Sequence, residues 1–254
     1  MESIQNENVS KTSTRGPVIV RDKPSRVSVI IPTLQEQNYI GNILSKLEEL
    51  NPKVEVIVVD GGSKDKTVEV AQRFTNKVYK TSKRGIAAGR NCGATKANGE
   101  ILVFLDTDVT FPANFPEKVL QTFSEPTVAG ATCNIMPIQN QFGATAFFRL
   151  YNLVIRVTAK FKPHSRGEFF AVRKTAFQKA KGFDETMPCL EDHDLAWRLS
   201  KIGKFIFISD LTVYESLRRF RKLGFSKVIG TWTIDYIFFM LRGKPVSPEW
   251  KPVR

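Results

Sequence analysis

Past an initial polar stretch, apolar runs alternate with amphipathic segments. Val27-Ser-Val-Ile-Ile-Pro32 is a β-branched run closed by proline and predicts a first strand. From Tyr39 to Leu50, Ile40, Ile43, Leu44 and Leu47 repeat at the spacing of one helix face. Val54–Asp60 predicts a second strand, followed by the turn formers Gly61-Gly62-Ser63. Lys64–Phe74 then reads as a helix, Lys77–Thr81 as a short strand and Ile86–Ala97 as a helix of small residues. In Ile101-Leu-Val-Phe-Leu-Asp106-Thr-Asp108, five large apolar residues in a row mark a strand buried on both faces, and it ends in two carboxylates. Such alternation with short connections predicts an α/β fold, with a mostly parallel central sheet flanked by helices.

The second half is less regular. Strands are expected over Val128–Met136, Gly167–Arg173 and Phe205–Ile208, and a helix over Leu190–Ile202. Ala146–Phe161 is amphipathic, with Phe147, Leu150, Tyr151, Val154 and Phe161 on one broad face and Arg149, Asn152, Arg156 and Lys160 on another. Val228–Leu241 carries Trp232, Tyr236, Phe238 and Phe239, but its 14 residues, interrupted by Asp235, are too few to span a bilayer. There is no internal repeat.

Charge narrows the class of partner. The 254 residues carry a net charge of +13, which implies an anionic partner: nucleic acid, a phosphorylated substrate or an acidic membrane surface. Cys92, Cys133 and Cys189 lack metal-ligand spacing and are expected as thiols in a reducing compartment, and the two histidines argue against a histidine-rich zinc site. Met1–Ser25 is polar, lacks the apolar core of a signal peptide and is expected to be disordered.

Candidate chemistry sits where the strands end. Ligands of open α/β sheets bind at the carboxyl edge of the strands. Asp106-Thr-Asp108 there would offer hard oxygen ligands for Mg²⁺ or Mn²⁺ bridging phosphates. Pro32-Thr33-Leu-Gln-Glu36 and Asp60-Gly61-Gly62-Ser63 bring carboxylates suited to a ribose or base edge. Arg84-Gly85 and Arg90-Asn91 bring cations to a helix start, where a diphosphate is favoured. Glu191-Asp192-His193-Asp194 opens another helix; capping explains acidic residues there, and one of them can also serve as general base. Each cluster alone is equally a turn, a loop or a cap.

Their order is more specific than any one of them. VSVIIPTLQE, VVDGGSKDKT, RGIAAGRNCGATKANGEILVFLDTDV, GEFFAVRK and EDHDLAWRL together resemble family 2 glycosyltransferases of the Rossmann-like GT-A fold, over about Val27 to Lys227. The resemblance implies an inverting, metal-dependent enzyme that uses a UDP- or GDP-sugar donor. It assigns Pro32, Thr33, Glu36 and Asp60 to the nucleoside, and Arg84, Gly85, Arg90 and Asn91 to the nucleotide-lining loop and helix start. Asp106 and Asp108 are assigned to metal and diphosphate, with Mg²⁺ and Mn²⁺ both open. Asp192, in its pair with Glu191, is the expected base. The second carboxylate of the usual Asp-Asp-Gly-Ser run is replaced by Gly61, and the Gln-x-x-Arg-Trp motif of processive synthases is absent, so a single transfer is expected.

Arg218-Arg-Phe-Arg-Lys-Leu-Gly-Phe-Ser-Lys227 resembles a run of dolichyl-phosphate mannose synthases, which implies phosphate or acceptor binding by Arg219, Arg221, Ser226 and Lys227. The expected organisation is a tail over 1–25, a GT-A domain over 26–210 and a basic, membrane-facing segment with amphipathic helices over 211–254. Function is expected at the inner face of the cell membrane, on a lipid-linked acceptor such as a polyprenyl phosphate or lipid-linked glycan. The alternatives are a soluble or protein acceptor on the same fold, and a non-catalytic nucleotide- or nucleic-acid-binding protein; intact Asp106, Asp108 and Asp192 favour the enzyme, and nucleic acid is not expected as a partner.

Overall fold

The computed structural model describes residues 25–248; residues 1–24 of the expected N-terminal tail and the last six residues lie outside them. Strand β1 (Val27–Thr33) is buried on both faces: Val29 and Ile31 point into one apolar layer and Ile30 into the other. It pairs in parallel with β2 (Glu55–Asp60) on one side and β4 (Ile101–Leu105) on the other, and β2 pairs in parallel with β3 (Val78–Lys80). Beyond β4 the sheet is mixed. Antiparallel β7 (Phe169–Arg173) is followed by β6 (Val128–Pro137), β8 (Lys204–Glu215) and the two-residue β5 (Val109–Thr110), giving the order β3-β2-β1-β4-β7-β6-β8-β5. The parallel half thus matches the expectation, whereas in the second half β7 runs antiparallel to β4 and β6, β6 and β8 are parallel, and β5 is antiparallel to β8.

Helices cover both faces. α1 (Ile40–Glu48), α4 (Phe115–Thr122) and α5 (Phe142–Thr158) bury Leu44, Val119 and Phe148 in one layer, and α3 (Ile86–Lys96), α6 (Lys174–Lys179) and α7 (Glu191–Ser200) bury Ala94, Phe177 and Leu195 in the other. A short α2 (Thr67–Ala71) packs against α1. Each large apolar side chain buried this way contributes about 1.5–3 kcal/mol. The small residues of α3 have a packing reason: a Cβ at Gly93 would stand 2.4 Å from Ile30 Cγ2, so only glycine lets the helix lie this close to β1. That approach sets the depth of Arg90.

β8 is longer than the apolar run Phe205–Ile208. Its pairing with β6 jumps from Cys133↔Ile208 to Asn134↔Thr212, and the Asn134 amide donates to Ser209 O at 2.8 Å, bridging the irregularity. Polar Ser209-Asp210 sits where the ladder is interrupted, which is why the sequence reads as a strand end. The strand continues past residue 210 and delivers Glu215 beside Val109. α8 (Arg218–Leu223) and α9 (Phe225–Arg242) follow. Among the described residues, no helix is long and apolar enough to cross a membrane.

Candidate active site

The carboxyl ends of β1, β2 and β4 bring three clusters to one edge. Asp60, 1% exposed, accepts hydrogen bonds from the Gly62 and Ser63 N–H groups at Oδ2, 2.9 Å each, which turns the chain sharply after β2. Thr33 is buried beside it. Pro32 backs onto α3 at Gly89, where a Cβ would come within 3.2 Å of the proline ring. Glu36 is fixed through its backbone N–H, which donates to Thr67 Oγ1 at 2.7 Å.

Two arginines organise the acidic groups. Arg218 donates to both carboxylate oxygens of Glu36, at 2.7 and 3.0 Å, and its Nε lies 2.7 Å from Asp108 Oδ2. Its guanidinium also stacks 4.7 Å from the Tyr39 ring centre. One cation therefore joins the loop after β1 to the turn after β4. Burial pushes Asp108 up to about 6, with Arg218 opposing and the charges of Asp106, Glu36 and Glu168 adding to the rise. Arg90, buried to 1% exposure on α3, bonds Glu191 Oε1 at 2.7 Å, Asp106 Oδ1 at 3.1 Å and the Gly167 carbonyl at 3.2 Å. Burial raises Asp106 despite that pairing.

Leu190 takes the left-handed conformation at φ 61°, so that α7 begins abruptly with Glu191 and Asp192. These neighbours split. Burial and the Asp192 charge push Glu191 up to about 7. Burial works to raise Asp192 as well, but the His193 side chain and N–H, together with Arg90, hold it below its ordinary value. The His193 N–H donates to Asp192 Oδ1 at 2.8 Å. Tyr151 Oη lies 3.3 Å from His193 Nε2, Tyr236 Oη lies 2.9 Å from His164 Nε2, and the two imidazoles stand 5.2 Å apart. A second buried set adjoins them: Arg166 bonds Glu168 and Glu215 at 3.0 Å each. Burial and the Glu168 charge push the Glu215 carboxyl well up, whereas Arg166 holds Glu168 below its ordinary value against burial.

A cavity of about 120 Å³ lies among these groups. Arg90, Asp106, Glu191 and Asp192 of the expected residues line it, together with Glu168 and the aromatic rings of Tyr151, Trp232 and Tyr236. Other expected residues lie elsewhere. Arg84 and Gly85 are exposed, Gly85 supplying φ 104° where α3 begins. The Asn91 amide is committed to holding the next loop, donating to Phe183 O at 2.9 Å and Glu185 Oε1 at 3.0 Å and accepting from the Phe183 N–H. Arg221, Ser226 and Lys227 are exposed around the α8–α9 turn and do not line the cavity, whereas Arg219 is half-buried within the field of Asp106, Asp108 and Glu168. On α5, Asn152 lies on the buried face, its amide bridging the Ile135 backbone, rather than with the basic residues.

Arg218, Glu168 and Tyr151 are central here and carried no assignment from sequence. Glu168 stood inside a quoted motif and Arg218 began the basic run; neither pattern says which acid meets which base. Asp106 and Asp108 are hard oxygen donors that burial raises, with further carboxylates nearby, and a divalent cation would offset their charge. Among the described residues, no group of three or more His, Cys, Asp or Glu surrounds one ion position, so diphosphate and water would complete the coordination.

Residues 28–185, more than half of the chain, match the family Glycosyl transferase family 2. A pre-mycofactocin glycosyltransferase of Mycobacterium tuberculosis is 29% identical over 189 residues, 70% of this chain and 39% of the relative, so the chain spans less than half of that protein's length. A mannosyltransferase from Pyrobaculum calidifontis in complex with GDP-Man and Mn²⁺ superposes with a TM-score of 0.65 at 23% identity, covering 84% of this chain and 65% of the other. S. aureus TarS residues 1–349 in complex with UDP-GlcNAc gives 0.61 at 20% identity, covering 75% and 58%. Both share the fold.

Proposed function

The chain belongs to glycosyl transferase family 2, and from that premise we propose that it moves a sugar from a UDP- or GDP-sugar to an acceptor hydroxyl or phosphate oxygen, with inversion. The observation that carries this reading is the pair of bonds from Arg90, which hold Asp106 and Glu191 on one buried guanidinium. Donor diphosphate and the base Asp192, which follows Glu191 at the start of α7, are thereby kept at a set separation. Thr33, Glu36 and Asp60, backed by Pro32, receive the nucleoside, and Asp106 and Asp108 hold Mg²⁺ or Mn²⁺; the Mn²⁺ in the P. calidifontis neighbour supports such a site. When bound, the metal supplies positive charge against the diphosphate. Arg218 and Arg219 stand close enough to this edge to add theirs. Asp192, held ionised, takes the acceptor proton. The acceptor oxygen forms its bond to the anomeric carbon as the bond to phosphate breaks on the opposite face, and the nucleoside diphosphate leaves.

The acceptor is lipid-linked in this reading, and the chain works at an acidic membrane surface. Support comes from α5, the turn after it and α9, where Leu150, Leu153, Val157, Phe161, Ile237 and Leu241 are exposed, Phe161 to 85% and Leu241 to 77%. Arg149, Arg156 and Lys160 are exposed around them. The first test is a thermal-shift panel of UDP-, GDP- and dTDP-sugars with and without Mn²⁺. A shift that needs both metal and one nucleotide is expected; no shift with any sugar nucleotide at saturating concentrations would overturn the donor assignment.

A further inference from the structure

Resting on that transferase reading, we propose that the α5–α9 wall of the cavity is an acceptor subsite for a neutral carbohydrate hydroxyl, and that a phosphate acceptor is excluded from it. Asp192 marks the boundary between the two substrates. On one side it feels Arg90, which is bonded to Asp106; on the other it meets His193, which contacts Tyr151 of α5 and stands 5.9 Å from the Tyr236 ring of α9. A base that serves both substrates has to stand between them.

Charge decides the chemistry of the second side. The cations lining the cavity are Arg90 and Arg166, whose side chains are 1% and 4% exposed, and each already bonds two carboxyl groups. Asp106, Glu168, Glu191, Asp192 and Asp235 supply the acidic lining. A phosphate entering here would be desolvated against like charge, with both guanidinium groups committed. Arg219 is felt by Asp106, Asp108 and Glu168 and stands next to Arg218, which places its charge with the donor diphosphate.

A sugar hydroxyl fits where a phosphate does not. Asp192 accepts its proton, and Tyr151 and Tyr236 bring hydroxyl groups to the same wall. His193 lines the cavity with its buried Nδ1 3.3 Å from Asp192 Oδ1, which orients that carboxylate towards the same wall. Trp232 and the two tyrosines offer aromatic faces, whose negative potential suits the C–H face of a pyranose. Asp235 is the exception among the lining carboxylates: it accepts from the Val246 and Ser247 N–H groups at 3.1 and 2.8 Å and from Ser247 Oγ at 2.7 Å, tying the chain back onto α9. A polyprenyl chain on the acceptor would lie along the exposed apolar faces of the two helices.

The test uses the full chain with Mn²⁺ and the sugar nucleotide that gives the thermal shift. Octyl glucoside, galactoside, mannoside and N-acetylglucosaminide are compared with undecaprenyl phosphate, and products are read by mass spectrometry. Transfer to an octyl glycoside is expected, with none to the phosphate. Trp232→Leu should lose about tenfold in kcat/KM for the glycoside while the donor-dependent shift is kept, and Trp232→Phe should retain most activity. Product on undecaprenyl phosphate alone, or wild-type kcat/KM in Trp232→Leu, would overturn the subsite while leaving the transferase intact. Trp232 packs on Phe147 and Phe220, so Trp232→Leu risks misfolding. A Trp197→Phe/Trp250→Phe chain, which reports Trp232 fluorescence alone, should then respond to the same glycosides, and a flat titration would equally refute the assignment. Absence of any donor shift in the wild type is a different result: it removes the transferase reading, and the subsite with it.

Discussion

Replacing Arg218 by alanine tests the electrostatic design of the sheet edge proposed to bind the donor. Its guanidinium, 19% exposed, is shared by the carboxylates of Glu36 and Asp108, 10% and 13% exposed. Removing one partner from a fully buried ion pair costs about 3–5 kcal/mol. The residual solvent contact of all three groups discounts this to about 2–3 kcal/mol. For a chain of this size that lowers Tm by roughly 5–10 °C. The loss should depend on pH with a definite sign. Asp108 already sits near 6 rather than its ordinary 3.8, so its ionisation works against folding, and that cost is absent below 3.8 and complete above 6. Without Arg218 the value rises further. The deficit of Arg218→Ala should therefore be small near pH 4 and grow towards neutrality. If Asp108 holds metal, Mn²⁺ with the matching nucleotide should recover more stability in the variant than in the wild type, because the ion takes over the lost charge. Thermal unfolding of both chains at pH 4, 5.5 and 7.5, with and without Mn²⁺ and nucleotide, measures all of this. A Tm within 2 °C of wild type at neutral pH, or a deficit that does not change with pH, would refute the reasoning.

Three further outcomes are expected. Asp192→Asn should cut transfer by at least about a hundredfold while leaving the donor-dependent thermal shift in place; transfer at the wild-type rate would remove Asp192 from the base role. Burial holds His164 down at about 3, against an ordinary 6.5, so stability is lost as pH falls below 6.5, where only the unfolded chain takes up the proton. His164→Asn should remove one proton's worth of that slope, about 1.4 kcal/mol per pH unit, from urea unfolding between pH 4 and 6, and an unchanged slope would show that His164 titrates normally. Leu150→Glu with Leu241→Glu places charge on the exposed faces of α5 and α9 and should weaken co-sedimentation with phosphatidylserine vesicles at unchanged Tm; equal binding would rule out these faces as the membrane contact.

Much of the first half was legible because its information is local. Ile101–Leu105 had to be a buried strand, and carboxylates directly after it had to appear at the sheet edge, wherever the neighbouring strands lay. The same holds for Thr33 and Asp60, which end adjacent parallel strands and are paired in register. β8 was readable only up to Ile208, since the irregularity at Ser209–Leu211 imitates a strand end until β6 is beside it. The basic run at 218–227 was visible, yet Arg218 reaches Asp108 at the sheet edge while Arg221, Ser226 and Lys227 are exposed. Helix phase sorts these side chains, and nothing in the order of the residues states where the phase begins.

By itself, then, the sequence determined the strands of the parallel half, the carboxylates at their ends and the family to which they belong, because strand burial and turn chemistry act over a few residues. Only the tertiary structure decided that Arg90 would bond Asp106 and Glu191, that Arg218 would bond Glu36 across 182 positions, and that Trp232 and Tyr236 of the last helix would close the cavity over Asp192. Such ion pairs and ring contacts depend on which elements meet, and charge carries no address along the chain until packing has placed it.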